Sequence, residues 1–167
     1  ILRTEMVIKI VNEIEKYICE LGSEGRLVNM QMKELVANVI EDGKHVVMDY
    51  NVNPEIGEDE IQKMLRGLSS EELLDLSLMS KILGYGSNMN VLDVTVSTRG
   101  YRILNKIPRL PFAVIENLLK EFSSFQKILK ASTEQLDDVE GIGEVRARAI
   151  KDGLRRLQEQ VLLDRHI

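Results

Sequence analysis

Residues 132–150 read STEQLDDVEGIGEVRARAI, and this stretch decides the fold of the C-terminal part of the chain. Ser132 and Gln135 have the spacing of a capping box, which predicts that a short helix begins there. Gly141 and Gly143 flank a single aliphatic residue, Ile142, and a second helix is predicted to begin directly after them. The pattern therefore predicts two helices joined by a tight glycine hairpin.

This hairpin has the properties of a phosphate site. Its two glycines permit a positive φ and remove Cβ atoms, so that an anion can approach the backbone closely. The N–H groups in the first turn of the second helix have no partner within that helix and can donate outward. Ile142 is predicted to point inward and hold the helices together, and Ala147 to be small because the helices cross near it.

The last helix carries two separate stripes. Apolar residues from Ala147 to Val161 repeat at a 3-4-3-4 spacing and are predicted to be buried. Basic residues at i, i+3 and i+7 form a second row that suits one phosphate strand. The predicted DNA contacts are Gly141, Ile142, Gly143, Val145, Arg146, Arg148, Lys151 and Arg155.

The same charges also fit a simpler interpretation. On charge pattern alone they form i, i+4 ion pairs that solvate an exposed helix: Arg148–Asp152, Asp152–Arg156 and Arg155–Glu159. The preceding hairpin favours phosphate binding, because it brings N–H donors and cations together. A hairpin retained only as a scaffold or protein-binding surface is the alternative.

The stretch resembles the helix-hairpin-helix motif, whose core reads apolar-x-x-apolar-x-Gly-apolar-Gly-x-x-x-Ala-x-x-apolar. Residues 107–115 look like a degenerate copy, in which Leu110 takes the place of Ile142, while Arg109 and Pro111 replace the glycines. Because Pro111 has no N–H, this copy is predicted to be a poor phosphate cradle, with Arg109 and Leu110 as secondary contacts. The intact copy fills every slot of the motif with Leu136, Val139, Gly141, Ile142, Gly143, Ala147 and Ile150.

Nearly all of the remaining sequence has helical periodicity, so the fold class is predicted to be all-α. The glycines of residues 22–25 are predicted to end the first helix, while the effect of Gly43 on the second is left open. A capping box at residues 69–72 predicts a helix that continues to Leu83, and Ser97 is predicted to cap another that continues to Lys106. The first helix has an apolar stripe of Val7, Ile10, Ile14, Tyr17 and Leu21, which Val11 and Ile18 widen.

Composition predicts two units with different partners. Residues 84–97 contain structure breakers and few charges, and are predicted to connect a helical linker bundle, residues 1–96, to a tandem helix-hairpin-helix domain, residues 97–167. The net charge is −5, which argues against a general polyanion binder. Residues 1–97 carry 9 basic and 17 acidic side chains, whereas residues 98–167 carry 13 and 10. The second unit is therefore the better partner for a polyanion.

Residues 91–96 alternate weakly between apolar and polar side chains, but an isolated strand has nothing to pair with.

Other candidate sites are weak. Cys19, the single cysteine, is predicted to be a packed thiol in a protein of a reducing compartment. His45 and His166 are far apart in the sequence, so no metal site is predicted. Residues 22–25 lack the lysine of a phosphate loop. No catalytic residues are predicted, and no apolar run is long enough to cross a membrane.

Several longer segments resemble the DNA-scanning diadenylate cyclase family: residues 3–6, 13–15, 20–27, 99–104, 107–111 and 140–147. The resemblance implies that this chain is the helical linker and helix-hairpin-helix domain of a longer protein, whose N-terminal domain condenses two ATP molecules into cyclic di-AMP. The Asp-Gly-Ala and Arg-His-Arg signatures of that domain have no counterpart here, so this part is expected to be no enzyme and to hold no cofactor. ATP and a divalent metal would belong to the missing domain. The resemblance also implies an octamer with its DNA-binding ends at the tips, and a cytoplasmic, nucleoid-associated location.

Two functional hypotheses remain open. In the first, the chain contacts the backbone of duplex, branched or damaged DNA and reports to the cyclase. In the second, it is a helical scaffold for oligomer assembly and makes no direct DNA contact. An accessory domain of a nuclease or ligase, where the motif also occurs, is a more remote option. Salt-dependent binding to duplex and four-way-junction DNA separates the first two hypotheses.

Overall fold

Most of the residues that the structure describes lie in helices. A computed structural model describes residues 1–53, 55–86 and 93–164, and it gives only the helix backbone of residues 161–164. Within these residues there are nine α-helices, a 3-10 turn at Glu72–Leu74 and no strand, which confirms the predicted all-α class. The chain forms two compact units, Ile1–Val96 and Ser97–Ile167. The helices are α1 Leu2–Glu20, α2 Gly25–Tyr50, α3 Glu58–Gly67, α4 Leu76–Ile82, α5 Tyr101–Leu104, α6 Phe112–Phe122, α7 Phe125–Lys130, α8 Thr133–Asp137 and α9 Glu144–Asp164.

In the first unit, α2 continues through Gly43 without a break. A Cβ atom at this position would collide with the side-chain methyl of Thr4 on α1. Gly43 therefore sacrifices about 1 kcal/mol of intrinsic helix propensity but lets the two helices approach closely. The glycine-containing loop of residues 21–24 separates α1 from α2, as predicted.

Much of the apolar stripe of α1 remains uncovered in the single chain. Val11 and Ile18 are buried, whereas Tyr17 is 69% exposed and Ile10 is 54% exposed. On α2, Leu35 is 79% exposed. The amphipathic pattern was thus correct as a helix signal, but a large part of its apolar face does not form the core of this unit. No helix in the described part of the chain is long and apolar enough to cross a bilayer.

The prediction that Cys19 is a packed thiol is wrong, because this cysteine is exposed. It directly follows Ile18, which is buried. Successive residues of an α-helix, with 3.6 residues per turn, lie on different faces. Cys19 therefore falls outside the narrow face that Ile18 and Val11 bury.

Two capping residues divide the segment that was predicted to form one helix up to Leu83. Ser69 and Glu72 form the predicted capping box, with bonds of 2.7 and 3.1 Å, but it opens only a 3-10 turn. Asp75 then accepts from the N–H groups of Ser77 at 2.9 Å and Leu78 at 3.2 Å, and caps α4. The single-helix prediction is wrong because a second cap, Asp75, begins a separate helix.

Glu5 is a buried acid on α1, only 5% exposed. Among the described residues, no hydrogen-bond donor reaches its Oε2 atom. Burial raises the pKa of the Glu5 carboxyl, and the charges of Arg66 and Lys9 oppose this shift. The charge state of Glu5 is consequently coupled to the folding of the first unit.

The first helix of the second unit begins later than predicted. Ser97 is exposed and lies outside any helix, and α5 begins only after Gly100, which has φ +117. A Cβ atom at Gly100 would lie 2.7 Å from Cδ2 of Phe125, so both the backbone and the packing require glycine here. Residues 93–96 form no strand, and residues 91 and 92 lie outside the described part of the chain.

All five helices of the second unit contribute to one apolar core. This core positions the two hairpins described below, because each hairpin joins helices that are anchored in it. Its buried members are Leu104, Ile107, Val114, Ile115, Leu118, Phe125, Ile128, Ala131, Leu136, Val139, Ile142, Ala147, Ile150 and Leu154.

Candidate nucleic-acid interface

The glycine hairpin lies between α8 and α9 and is closed by backbone hydrogen bonds. The predicted capping box is present at the start of α8. After α8, the N–H of Ile142 donates to the carbonyl of Val139 at 2.9 Å. The N–H of Ala147 then donates to the carbonyl of Gly143 at 2.9 Å, which begins the hydrogen-bond ladder of α9. The local sequence thus forms the helix–turn–helix path predicted for residues 132–150.

The two glycines of the hairpin have different roles. Gly141 has φ +81, in the left-handed region that favours glycine. Gly143 does not have a positive φ, so the prediction that both glycines use this freedom is wrong for Gly143. A Cβ atom at Gly143 would have no other atom within 4 Å. Glycine at position 143 therefore keeps open space beside the first turn of α9.

That first turn offers unused hydrogen-bond donors. Within the described part of the chain, no acceptor receives the N–H groups of Gly143, Glu144 or Val145. Val145 is 85% exposed, whereas Ile142 is buried and holds the hairpin on the core. Exposed N–H groups at a helix N-terminus, with open space beside them, suit the binding of an anion.

Lys151 occupies its predicted position on α9, but its ammonium is bound to backbone carbonyls. Its Nζ donates to the carbonyl of Ala131 at 2.7 Å and to that of Leu129 at 3.2 Å, at the C-terminal end of α7. A cation is favourable there, because it satisfies terminal carbonyls and complements the helix dipole. The Lys151 ammonium therefore joins α9 to α7, and only Arg148 and Arg155 of the row remain exposed.

The two arginines of the row are ion-paired, but with partners other than those predicted. Arg148 pairs with Glu144, and Nη2 of Arg155 lies 3.2 Å from Oδ1 of Asp152. The predicted pairs of Arg148 with Asp152 and of Arg155 with Glu159 are wrong, because each arginine turns toward the acid that precedes it. Both arginines are exposed, so these pairs are weak and a phosphate can replace the carboxylate.

Acidic side chains surround Arg148 on one side of the hairpin. Glu134, Asp137 and Glu144 line a pocket with it. A hydrogen bond from the Ser132 side chain lowers the pKa of Glu134, which keeps that carboxylate charged. This side of the hairpin is therefore less favourable for a polyanion than Arg148 alone suggests.

Two further side chains hold the hairpin through its carbonyl groups. Nη1 of Arg146 donates to the carbonyl of Gly141. Nδ2 of Asn117, on α6, donates to the carbonyl of Glu140 at 3.0 Å. Arg146 was predicted as a DNA contact, and Asn117 was not identified from the sequence. Its partner is a main-chain carbonyl 23 residues away, which leaves no pattern in the side chains.

The degenerate hairpin between α5 and α6 repeats the backbone path of the glycine hairpin. The N–H of Leu110 donates to the carbonyl of Ile107 at 3.4 Å, as Ile142 donates to Val139. Ile107 corresponds to Val139, an offset of 32 residues. At the same offset, Arg109 takes the place of Gly141 and has φ +61. The first copy has thus lost its glycines but kept the turn.

Both hairpins line one cleft, of about 570 Å³. Arg109 and Arg146 both line it, and Gly143 brings its open space to the same cleft. The predicted contacts that the structure brings together here are Gly143, Val145, Arg146, Arg109 and Leu110, whereas Arg148, Lys151 and Arg155 do not line this cleft. The cleft therefore combines the unused N–H donors with two cationic side chains.

Among the described residues, no three His, Cys, Asp or Glu side chains converge as metal ligands. His45 is buried in the first unit. His166 lies outside the described residues. The cleft between the hairpins is consequently the best-supported candidate site.

Comparison with known proteins finds a family match in each unit. Residues 1–92 match the family model of the DisA bacterial checkpoint controller linker region, and residues 124–153 match that of the helix-hairpin-helix motif. The chain is similar to the DNA integrity scanning protein DisA of Clostridium botulinum strain Langeland, with 54% identity over 99% of this chain and 46% of the relative. It is 57% identical to the protein of that name from Carboxydothermus hydrogenoformans, over 95% of this chain and 45% of the relative. The same-named protein of Clostridium acetobutylicum is 52% identical over 100% of this chain and 46% of its own length. The chain thus spans about half the length of the curated relatives it matches.

Proposed function

Because the chain belongs to the DisA bacterial checkpoint controller linker family, we propose that its second unit is the DNA-binding, sensing part of a DNA integrity scanning protein. It binds the phosphate backbone and does not read base sequence. The single observation that carries this proposal is the helix-hairpin-helix geometry beside Gly143. Free N–H donors, open space and cationic side chains meet there in one cleft.

The predicted contacts have separate roles in this proposal. The N–H groups of Gly143 and Val145 donate to a phosphate oxygen, and Val145 presents its exposed side chain to the adjacent sugar. Arg109 and Arg146 supply positive charge across the cleft. Arg148 and Arg155 exchange their carboxylate partners for phosphates on the neighbouring surface. Gly141, Ile142 and Leu110 shape the two hairpins, and Lys151 holds α9 on α7.

The preferred ligand is branched or damaged DNA. Two hairpin tips that share one cleft can grip a backbone whose strands diverge, and contacts to phosphate alone do not distinguish base sequences. In the longer parent protein, this contact regulates an N-terminal domain that makes cyclic di-AMP from ATP. The fragment itself does not carry out that reaction. The parent is cytoplasmic and nucleoid-associated.

A second role is supported for the first unit by one specific observation, the exposed apolar side chains of α1 and α2. In the full-length protein, this surface takes part in the assembly of a homo-oligomer, which is proposed to be an octamer. Size-exclusion chromatography with light scattering on the full-length parent tests this role. A Tyr17→Glu variant is expected to lower the oligomer mass, and an unchanged mass would contradict the proposed interface.

The test of DNA binding is fluorescence anisotropy with labelled DNA. Two duplexes of unrelated sequence and one four-way junction are titrated with the 167-residue chain at several salt concentrations. The expected dissociation constants lie on the order of 10⁻⁴ to 10⁻⁶ M for the duplexes, equal for both sequences and weaker at higher salt. Tighter binding to the junction supports the preference for branched DNA. Absence of binding at low salt, or preference for one duplex sequence, would overturn the proposal.

A further inference from the structure

Asn117 connects the helix that follows the degenerate hairpin to the loop of the glycine hairpin. It lies on α6, and its Nδ2 donates to the carbonyl oxygen of Glu140 at 3.0 Å. Its side chain is half-buried rather than fully exposed to solvent. This hydrogen bond therefore joins the two halves of the tandem at the turn that precedes the cleft.

The bond fixes the orientation of one peptide group. In a planar trans peptide, the carbonyl and the N–H point in opposite directions. Because the carbonyl of Glu140 is held toward α6, the N–H of Gly141 points away from α6. That N–H donates to no acceptor within the described part of the chain. Asn117 thus fixes the direction of an unused hydrogen-bond donor in the loop that precedes α9.

The hairpin needs such a restraint because glycine is flexible. Gly141 is exposed and has φ +81, and glycine loses more conformational freedom on ordering than any other residue. Arg146, on α9, donates to the next carbonyl, that of Gly141. Two consecutive peptide groups are consequently held by side chains from different helices, which lowers the cost of ordering the loop around a ligand.

The arrangement is asymmetric between the two copies. At the 32-residue offset, Ala149 corresponds to Asn117 and Pro108 corresponds to Glu140. Alanine has no side-chain amide, so position 149 of α9 cannot make the equivalent bond to the degenerate hairpin. Val114 corresponds to Arg146 at this offset. Its Cγ2 atom lies 3.5 Å from the position that a Cβ atom on residue 141 would occupy. The first copy therefore supports the loop of the second through Asn117, and the equivalent position of the second copy, Ala149, has no amide to do the same.

We propose that Asn117 is a positioning residue for the phosphate cradle, which is the set of unused N–H groups and the open space beside Gly143. Orienting the glycine hairpin is then a role of the degenerate copy. This inference rests on the proposed function, since it concerns the same site. Asn117 touches no phosphate itself and acts through the Glu140–Gly141 peptide. Loss of its amide weakens DNA binding while leaving the number of neutralised phosphates unchanged.

The experiment compares the unsubstituted 167-residue chain, called the parent chain from here on, with Asn117→Leu. Leucine keeps a similar side-chain volume but has no hydrogen-bond donor. Asn117→Ala is a second variant, and Gln126→Leu is the control, because Gln126 is an exposed amide on α7 of the same unit. Binding to one duplex is measured across a salt series, and folding is measured by thermal circular dichroism. The expected result is an affinity three- to tenfold lower for both Asn117 variants, the usual effect of a single hydrogen bond. The log–log salt slope should match that of the parent, and Gln126→Leu should bind as the parent does.

A double variant distinguishes positioning from general stability. In the Gly143→Val background, where the cradle is already blocked, Asn117→Leu is expected to cause no additional loss of affinity. Affinity of Asn117→Leu equal to that of the parent, or a loss no larger than its unfolded fraction explains, would overturn the inference. Failure of the proposed function has a different signature, since the parent chain itself would then not bind DNA.

Discussion

Arg109 in the first hairpin has a positive φ of +61, as Gly141 has at the equivalent position of the second hairpin, with φ +81. The left-handed region is unfavourable for a residue with a Cβ atom, by roughly 1–2 kcal/mol. The degenerate copy therefore retains a strained turn after losing its glycine. The geometry of the motif has persisted at this position where its usual residue has not.

This relationship predicts opposite effects of two substitutions on stability. Gly141→Ala should lower the free energy of unfolding by about 1–2 kcal/mol, since alanine must adopt a positive φ. Its Cβ would only contact Val114 at an ordinary 3.5 Å, so the cost comes from the backbone. Arg109→Gly should leave stability unchanged or raise it by up to about 1 kcal/mol, because relief of strain exceeds or offsets glycine's added freedom in the unfolded chain. Urea denaturation measures both. An Arg109→Gly variant as destabilised as Gly141→Ala would contradict the shared geometry.

Lys151→Met is expected to affect stability more than DNA recognition. The substitution keeps the length of the side chain but removes the hydrogen bonds to Leu129 and Ala131. We expect the free energy of unfolding to fall by about 1–2 kcal/mol. This loss is smaller than for a fully buried charged hydrogen bond, because Lys151 is partly exposed to solvent. The salt slope of DNA binding should stay as in the parent. A slope reduced by about 0.9 with unchanged stability would return Lys151 to the phosphate contacts.

Arg148→Ala has the opposite expected profile. Removal of an exposed cation that meets one phosphate should lower the magnitude of the log–log salt slope by about 0.9, equally on two unrelated sequences. Stability should change little, because the pair with Glu144 is exposed. Lys16→Ala removes the same charge from α1 of the first unit and serves as the control, with no expected change in slope. A loss confined to one DNA sequence would show that Arg148 contacts a base.

The course of the chain could be read from the sequence where local signals agree. The capping box at Ser132, the glycines and the apolar spacing predicted α8, the hairpin and α9. Helix ends were less predictable. Gly100 begins α5 later than Ser97 would, because its contact with Phe125 depends on a packing partner that is distant in the sequence. Asp75 likewise divides a segment whose apolar period continues across it.

The candidate site was only partly predictable for a related reason. Periodicity places Arg148, Lys151 and Arg155 on one face of α9, but it does not show what each side chain binds. Lys151 reaches carbonyls at the end of α7, which depends on how the helices pack. The role of Asn117 was missed because a main-chain carbonyl carries no sequence signal. Spacing therefore predicted the elements of the site, whereas the partners of its charges required the three-dimensional structure.

Glu5→Gln is expected to change the pH dependence of stability. Burial raises the folded-state pKa of Glu5 above its ordinary value of 4.5. The stability contributed by its protonated form is fully present below that ordinary value, and it is lost as pH rises through the folded pKa. Glutamine stays neutral, so the variant should gain stability relative to the parent across this window. Urea midpoints from pH 4 to pH 8 test the prediction, and parallel curves for the two proteins would show that Glu5 is not coupled to folding.

Entry of a DNA phosphate into the space beside Gly143 is tested by the DNA affinity of Gly143→Val. Gly67→Val is the matched control, because a Cβ atom at either glycine meets no atom within 4 Å and neither has a positive φ. Both variants are expected to remain folded by circular dichroism, while Gly143→Val alone loses at least about tenfold in affinity for duplex DNA, which corresponds to about 1.4 kcal/mol. A folded Gly143→Val chain that binds duplex DNA as tightly as the unsubstituted chain would show that no phosphate enters this space.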